Sequence, residues 1–294
     1  MSAVTGHGER SQYVFFTLPA IVLFVVFVLY PVFGGVGYSL TDWNGVASAF
    51  RFIGIQNYRT LAADPAVLIP FRNTFVFAFL QTILQNILSL LMALAVDRKL
   101  RTKNLLRTLM FVPAVLAPLV VGYVWAFLFT EPIASLGKTL GIGILGNNAL
   151  GSPKSALLSG VFVGSWRMAG YTMVIYIAAL QGVPRELLDA AHVDGARAWR
   201  RFWSVTFPLI APAVTINLVL TMERGFKEFD MIFALTQGGP GNSSEVISLT
   251  IYNESFQYFR AAYGTTIGVM LFVVIVVLSY LEIVVLRKNE DRAL

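Results

Sequence analysis

Six apolar runs limit what this chain can fold into. A helix rises about 1.5 Å per residue, so about 20 apolar residues cross the hydrocarbon core of a bilayer. Runs of that length lie at roughly 13–38, 74–96, 107–129, 156–180, 205–235 and 266–286. The segments between them are short. The chain therefore reads as an all-α polytopic membrane protein, a single membrane domain over 1–294 with six transmembrane helices. Composition agrees: 56% of the 294 residues are hydrophobic and only 13% charged, against about 25% charged in soluble domains. Soluble globular and disordered classes are excluded on that ground. The first run is longer than a signal-peptide core and no small-residue cleavage site clearly follows it, so it is expected to stay as a span. The fifth is irregular. Its apolar part ends at Met222, and 223–230 reads Glu-Arg-Gly-Phe-Lys-Glu-Phe-Asp.

Familiar catalytic chemistry finds little to work with here. Cysteine is absent, and histidine occurs only as His7 and His192, so thiolate chemistry and multi-histidine metal centres are excluded. Gly137-Lys138-Thr139 resembles the end of a phosphate-binding loop, but Pro132 stands where that loop needs a glycine. No nucleophile elbow or zinc-binding helix motif is present. Two glycosylation sequons, at Asn242 and Asn253, are patterns that chance supplies often. The net charge of +6 would suit nucleic acid, but its distribution gives it another meaning. Basic residues crowd the loop after the second run (Arg98, Lys99, Arg101, Lys103, Arg107), the loop after the fourth (Arg185, Arg197, Arg200, Arg201) and the tail (Arg287, Lys288, Arg292). With six spans these lie on one side together with the N-terminus. The positive-inside rule places them, and both termini, in the cytoplasm. The basic excess is an insertion signal, and no nucleic-acid partner is needed to explain it.

The most informative segment is the loop at 181–206. Pro184 suits a helix start, where its missing N–H costs nothing. Glu186 falls in the first turn, where a carboxylate suits the helix dipole. Gly195 can end the helix in the left-handed conformation, and 196–203 can begin a second. Leu187, Leu188, Ala191 and Val193 leave an apolar strip on a helix outside the bilayer. Such a helix, with acidic flanks, fits a protein partner; a helix lying on lipid headgroups is the alternative.

Several segments together resemble the permeases of binding-protein-dependent ABC importers, in particular the carbohydrate-uptake branch that includes maltose and glycerol-phosphate permeases. Residues 183–196 resemble the EAA loop of that family, with Asp189-Ala190-Ala191 at the Glu-Ala-Ala position, Asp194-Gly195-Ala196 intact, and Phe202, Pro208 and Pro212 following. Further similarity lies at Ser39–Trp43, Phe52–Tyr58, Asn73-Thr74 and Leu235–Pro240. Asp189 replaces the usual glutamate with a side chain one methylene shorter. The resemblance implies a type I importer permease fold and no enzyme activity in this chain. It implies a second, similar permease, two ATPase subunits that bind ATP and Mg, and a periplasmic or lipid-anchored substrate-binding protein. It also implies that Glu186, Asp189, Ala190, Ala191, Asp194, Gly195 and Ala196 couple the ATPase to the membrane helices of a bacterial inner-membrane transporter.

Two segments are candidates for the solute path. In the fourth run, Arg167 is a lone charge that needs protein or water around it, and Trp166 and Tyr171 could stack on a sugar ring. In the fifth, Glu223, Lys227 and Asp230 recur at i, i+4 and i+7, which predicts one helix face, and Gly225 permits a local break. In the permeases that this chain resembles, both regions border the sugar site. The alternative for 223–230 is an anchor at the outer interface. A proton-coupled transporter using Glu223, Lys227, Glu228 and Asp230 as a relay, or an intramembrane hydrolase using the same carboxylates, would also account for these charges.

Overall fold

The computed structural model describes residues 7–97, 101–141 and 148–290; Arg98, Lys99 and Arg292 of the basic segments lie outside them. The helices are α1 His7–Phe24, α2 Tyr30–Ser39, α3 Gln56–Ala63, α4 Pro65–Val96, α5 Lys103–Val115, α6 Pro118–Thr130 and α7 Pro132–Thr139. They continue with α8 Ala156–Gln181, α9 Arg185–Val193, α10 Ala198–Arg201, α11 Phe207–Phe226, α12 Asp230–Leu235, α13 Ile247–Tyr252 and α14 Ala261–Glu290. Widened π-type turns occur at Val25–Leu29, Phe202–Thr206 and Asn253–Gln257. Packing divides the chain into two compact units, 1–63 with 251–270, and 64–250 with 271–294.

In the first unit, the end of α2 is fastened to the loop that follows. Thr41 and Phe52 form an antiparallel bridge. Asn57 Nδ2 donates to the Ser39 and Thr41 carbonyls at 2.9 and 2.8 Å, and the Tyr58 and Ser39 hydroxyls are 2.8 Å apart. Tyr38 stacks on Trp43 with centroids 4.6 Å apart. Two of the segments that carry the family resemblance, 39–43 and 52–58, are thus halves of one clasp.

In the second unit, α4 is apolar outside and polar inside. Its buried residues include Asn73, Thr74, Gln81, Thr82, Gln85, Asn86 and Ser89, whereas Phe79, Ile83, Ile87 and Leu91 are exposed. This reverses the pattern of a soluble helix, because here the surroundings are apolar and hydrogen-bond partners exist only within the protein. Gln85 Nε2 donates to Thr172 Oγ1 at 2.7 Å, and Ser89 Oγ to the Ala169 carbonyl at 2.9 Å, joining α4 to α8. Tyr176 Oη of α8 donates to Asn86 Oδ1 at 2.7 Å, and Asn86 Nδ2 reaches Thr221 Oγ1 of α11 at 3.4 Å. At the other end of α4, Asn73 Nδ2 faces the carbonyls of Asn242, Ser243 and Glu245 at 3.0–3.3 Å. Thr74 Oγ1 accepts from the Ile247 N–H at 2.8 Å. Asn73-Thr74, part of the resemblance, is thus bonded to the segment 242–247 that follows Leu235–Pro240.

Among the described residues, five helices are long and apolar enough to cross a membrane: Phe16–Ser39, Pro65–Val96, Pro118–Thr139, Ala198–Phe226 and Ala261–Val285. The fourth apolar run forms α8, which has the length but not the apolarity, since Ser, Gly and Arg167 dilute it. Of its 26 residues, 15 are buried, so protein rather than lipid surrounds most of it. The third run differs from the continuous helix that was expected, and the fifth, read as irregular, is interrupted soon after Gly225. The third, 107–129, is divided: α5 ends at Val115, and Leu116 and Ala117 are extended with ψ of 141° and 133°. Pro118 excludes helical backbone at the residue before it, which forces the break. The fifth, 205–235, stops at Phe226 and resumes at Asp230. The resumed helix α12 buries Met231, Ile232, Ala234 and Leu235, and it approaches glycines. A Cβ on Gly122 would stand 2.6 Å from the Ala234 Cβ, and one on Gly160 2.6 Å from the Ile232 Cδ1.

At Gly170 of α8 an added Cβ would collide with the Met110 carbonyl and stand 2.8 Å from the Phe111 Cα. Gly170→Val is therefore expected to destabilise the protein by about 1–3 kcal/mol, whereas Tyr176→Phe, which removes one hydroxyl, costs about 1 kcal/mol. Thermal unfolding of the purified protein in detergent checks the order; equal midpoints for Gly170→Val and wild type would show that α5 yields freely.

Candidate functional site

The loop at 181–206 folds as the residues dictate. Pro184, with φ −60° and ψ 130°, caps α9, and Glu186 occupies its first turn. The helix closes on Gly195 at φ +76°, with Gly195 N–H on the His192 carbonyl at 3.0 Å and Ala196 N–H on the Ala191 carbonyl at 2.9 Å. Only glycine takes this conformation without strain. The expected apolar strip divides, however. Leu188 packs against the cluster of Met173, Tyr176, Ile177, Leu180, Val183 and Ile210, tying α9 to α8 and α11. Ala191 is half-buried, and Leu187 and Val193 point outward, Val193 with 86% of its surface exposed. Glu186, Asp189, Ala190 and Asp194 are exposed, and Ala196 is half-buried. The helix is held from one side and presents acidic and apolar side chains on the other.

At membrane depth, the structure sorts the candidates of the fourth and fifth runs. Arg224 lies over the Tyr171 ring with its guanidinium carbon 4.5 Å from the centroid, a cation–π contact. Arg167 lies within electrostatic reach of Glu228, Arg224 and Asp230, and its Nε is buried with no hydrogen-bond partner among the described residues. Glu228 Oε1 accepts from the Met231 N–H at 3.2 Å, at the start of α12. Arg167, Tyr171, Arg224, Glu228 and Asp230 therefore converge where α11 gives way to α12.

Other candidates sit differently. Trp166 packs edge-on against Trp125, with centroids 5.4 Å apart, and lines an apolar cavity with Leu88, Met92 and Leu109. Its ring packs on a neighbouring helix, and the residue is 37% exposed. Glu223 and Lys227 form the ion pair that their i, i+4 spacing favours. The single helix face expected for Glu223, Lys227 and Asp230 does not exist, because α11 ends between them and Asp230 begins α12. Charged side chains here need water or partners, and ending the helix frees backbone and side chains to meet them. Arg224 was missed from sequence. Its signal is the i, i+4 spacing to Glu228, matched on the facing helix by Arg167 and Tyr171.

A bundle of membrane-length helices, with charged side chains gathered where α11 gives way to α12 and an exposed loop helix seated on it, marks a polytopic membrane protein. Over residues 85–288 the chain matches the family described as binding-protein-dependent transport system inner membrane component, and it belongs to that family. It is 36% identical over 278 residues to the probable starch degradation products transport system permease protein AmyD of Thermoanaerobacterium thermosulfurigenes, covering 95% of this chain and 94% of that protein. It is 33% identical over 275 residues to the multiple sugar-binding transport system permease protein MsmF of Streptococcus mutans, covering 94% and 95%. In fold it is similar to a chain of a bacterial ABC transporter involved in the import of the acidic polysaccharide alginate, with a TM-score of 0.80, 21% identity, and 95% and 96% of the two chains covered. That transporter is also known in complex with alginate pentasaccharide-bound periplasmic protein. The chain is thus a multi-pass inner-membrane permease with the type I importer fold, a transport subunit rather than an enzyme. The proton-coupled and hydrolase readings have no counterpart among these relatives.

If the converging charges line the solute path, single cysteines from Met222 to Met231 are expected to react with water-soluble reagents most strongly at 228 and 230, with protection by substrate. Arg167→Ala is expected to lower uptake roughly tenfold, the worth of a charge-assisted hydrogen bond. Uniform labelling without protection would leave this segment as an interface anchor.

Proposed function

We propose that this chain is one of two similar permeases in an ATP-driven importer for a sugar or sugar-like solute. Two ATPase subunits, carrying ATP and Mg, sit on the cytoplasmic side, and a periplasmic or lipid-anchored binding protein delivers solute from outside. Both termini and the 181–206 loop face the cytoplasm, and the six apolar runs form one permease domain. The observation that carries the reading is α9. It is exposed, acidic, stopped by a left-handed glycine and seated on the bundle through Leu188. In this reading Glu186, Asp189, Ala190, Ala191, Asp194, Gly195 and Ala196 meet the ATPase. The names of the starch-product and multiple-sugar relatives support the solute class. Tyr171, Arg167, Arg224, Glu228 and Asp230 supply an aromatic face with charged donors and acceptors, a combination suited to sugar hydroxyls.

The assembled transporter, reconstituted with its binding protein in vesicles, tests this. Asp189→Lys inverts the charge offered to the ATPase, and Gly195→Pro excludes the positive φ. Both are expected to lower uptake at least roughly tenfold while the permease still inserts and ATP is still hydrolysed. Wild-type uptake in both would remove the coupling role, and stimulation of ATPase activity across a sugar panel names the solute. Because the sequence lacks cysteine, Ala198→Cys reports sidedness: an impermeant reagent is expected to label it from the cytoplasmic face only.

A further inference from the structure

The membrane-length helix Ala198–Phe226 has 29 residues, about 44 Å at the rise of an α-helix. The hydrocarbon core is about 30 Å thick. Roughly three turns therefore extend beyond it, and the apolar run from Phe207 onward leaves those turns at the loop end. Four aromatic rings gather there. Trp199 and Trp203 meet edge-on at 5.6 Å, as do Phe202 and Trp203 at 5.2 Å, and Trp203 lies tilted against Phe207 at 4.8 Å. Trp199 is 74% exposed and Trp203 47%. Beside them stand Arg197 and Arg200, both exposed, and the half-buried Arg201. Among the described residues no carboxylate pairs with these three.

We infer that the surface formed by Arg197, Arg200, Arg201, Trp199 and Trp203 binds the headgroup of an anionic phospholipid. Guanidinium groups form paired hydrogen bonds with phosphate oxygens. Indole rings settle at the level of the headgroups, where an apolar body and a polar N–H are both accommodated. The charge separates this surface from the neighbouring one. Glu186, Asp189 and Asp194 make α9 and its end acidic, whereas the next seven residues, 195–201, carry three arginines and no acid. A single protein partner would have to change sign between them; a lipid phosphate needs only the second. The lipid surface begins where the proposed ATPase contact ends, and the inference rests on that reading for its leaflet alone.

The test uses the assembled transporter with Trp199→p-benzoylphenylalanine, held in nanodiscs of equal phosphatidylglycerol and phosphatidylcholine and irradiated. Mass analysis of the adducts is expected to show phosphatidylglycerol captured over phosphatidylcholine by roughly fivefold or more, since each basic side chain near an anionic surface is worth about that factor. Arg200→Gln/Arg201→Gln in the same background is expected to bring the ratio close to one. If that variant does not assemble, raising the salt to 1 M on the unaltered arginines makes the same comparison by screening. Equal capture of the two lipids, or adducts on the ATPase, would overturn the inference. Both leaflets of the disc have one composition, so the outcome does not depend on which side the loop faces; a failure of the proposed orientation shows instead in the labelling of Ala198→Cys.

Discussion

The hydrogen-bonded seam along the inner face of α4 is the interaction on which the larger unit depends. In an apolar solvent, burying Leu or Phe gains little, because lipid is as apolar as the protein interior. What specifies the arrangement is polar pairing between amides and hydroxyls on different helices. Asn86 shows this most directly, accepting from Tyr176 of α8 and donating toward Thr221 of α11. Gln85 and Ser89 repeat the pairing with α8. Each bond contributes only about 0.6–2 kcal/mol, but a one-residue slip of any helix would strand several groups at once. The seam thereby fixes register rather than supplying bulk stability.

Much of the fold was legible because bilayer thickness translates directly into run length. The first, second and sixth runs emerged as membrane-length helices, the second beginning at Pro65, nine residues before the expected start. What hydropathy could not show was interruption. Pro118 divides the third run, a signal present in the sequence but hidden within an unbroken apolar stretch. The fifth ends at Phe226 because Met231, Ile232, Ala234 and Leu235 find a better surface by turning onto α6 and α8. That choice depends on glycines more than sixty residues away. Similarly, Ser39–Trp43 and Phe52–Tyr58 were visible as motifs, but that Asn57 and Tyr58 clasp the end of the first span required coordinates.

The candidate site was legible unevenly for the same reason. The loop helix is local, so Pro184, Glu186 and Gly195 declared its ends through backbone rules alone. The membrane cluster is not local. Helical spacing selected Glu223 and Lys227, which pair with one another, and Asp230, which belongs to the next helix. Arg224 was passed over because its partner Tyr171 lies on a different span. Trp166 packs edge-on against Trp125, a contact with another span that local spacing does not show.

Leu188 has a mechanical consequence. It joins α9 to a cluster containing Tyr176, whose hydroxyl is bonded to Asn86, which in turn reaches Thr221. Three spans therefore share the footing on which the exposed helix stands. A close-packed interior transmits strain because it has almost no free volume to absorb it. A force of a few ångströms' stroke applied to α9 from below would meet no soft joint before it reaches α4, α8 and α11. The next break in the helices above that footing is the unwound stretch between Phe226 and Asp230, beside Arg167 and Glu228.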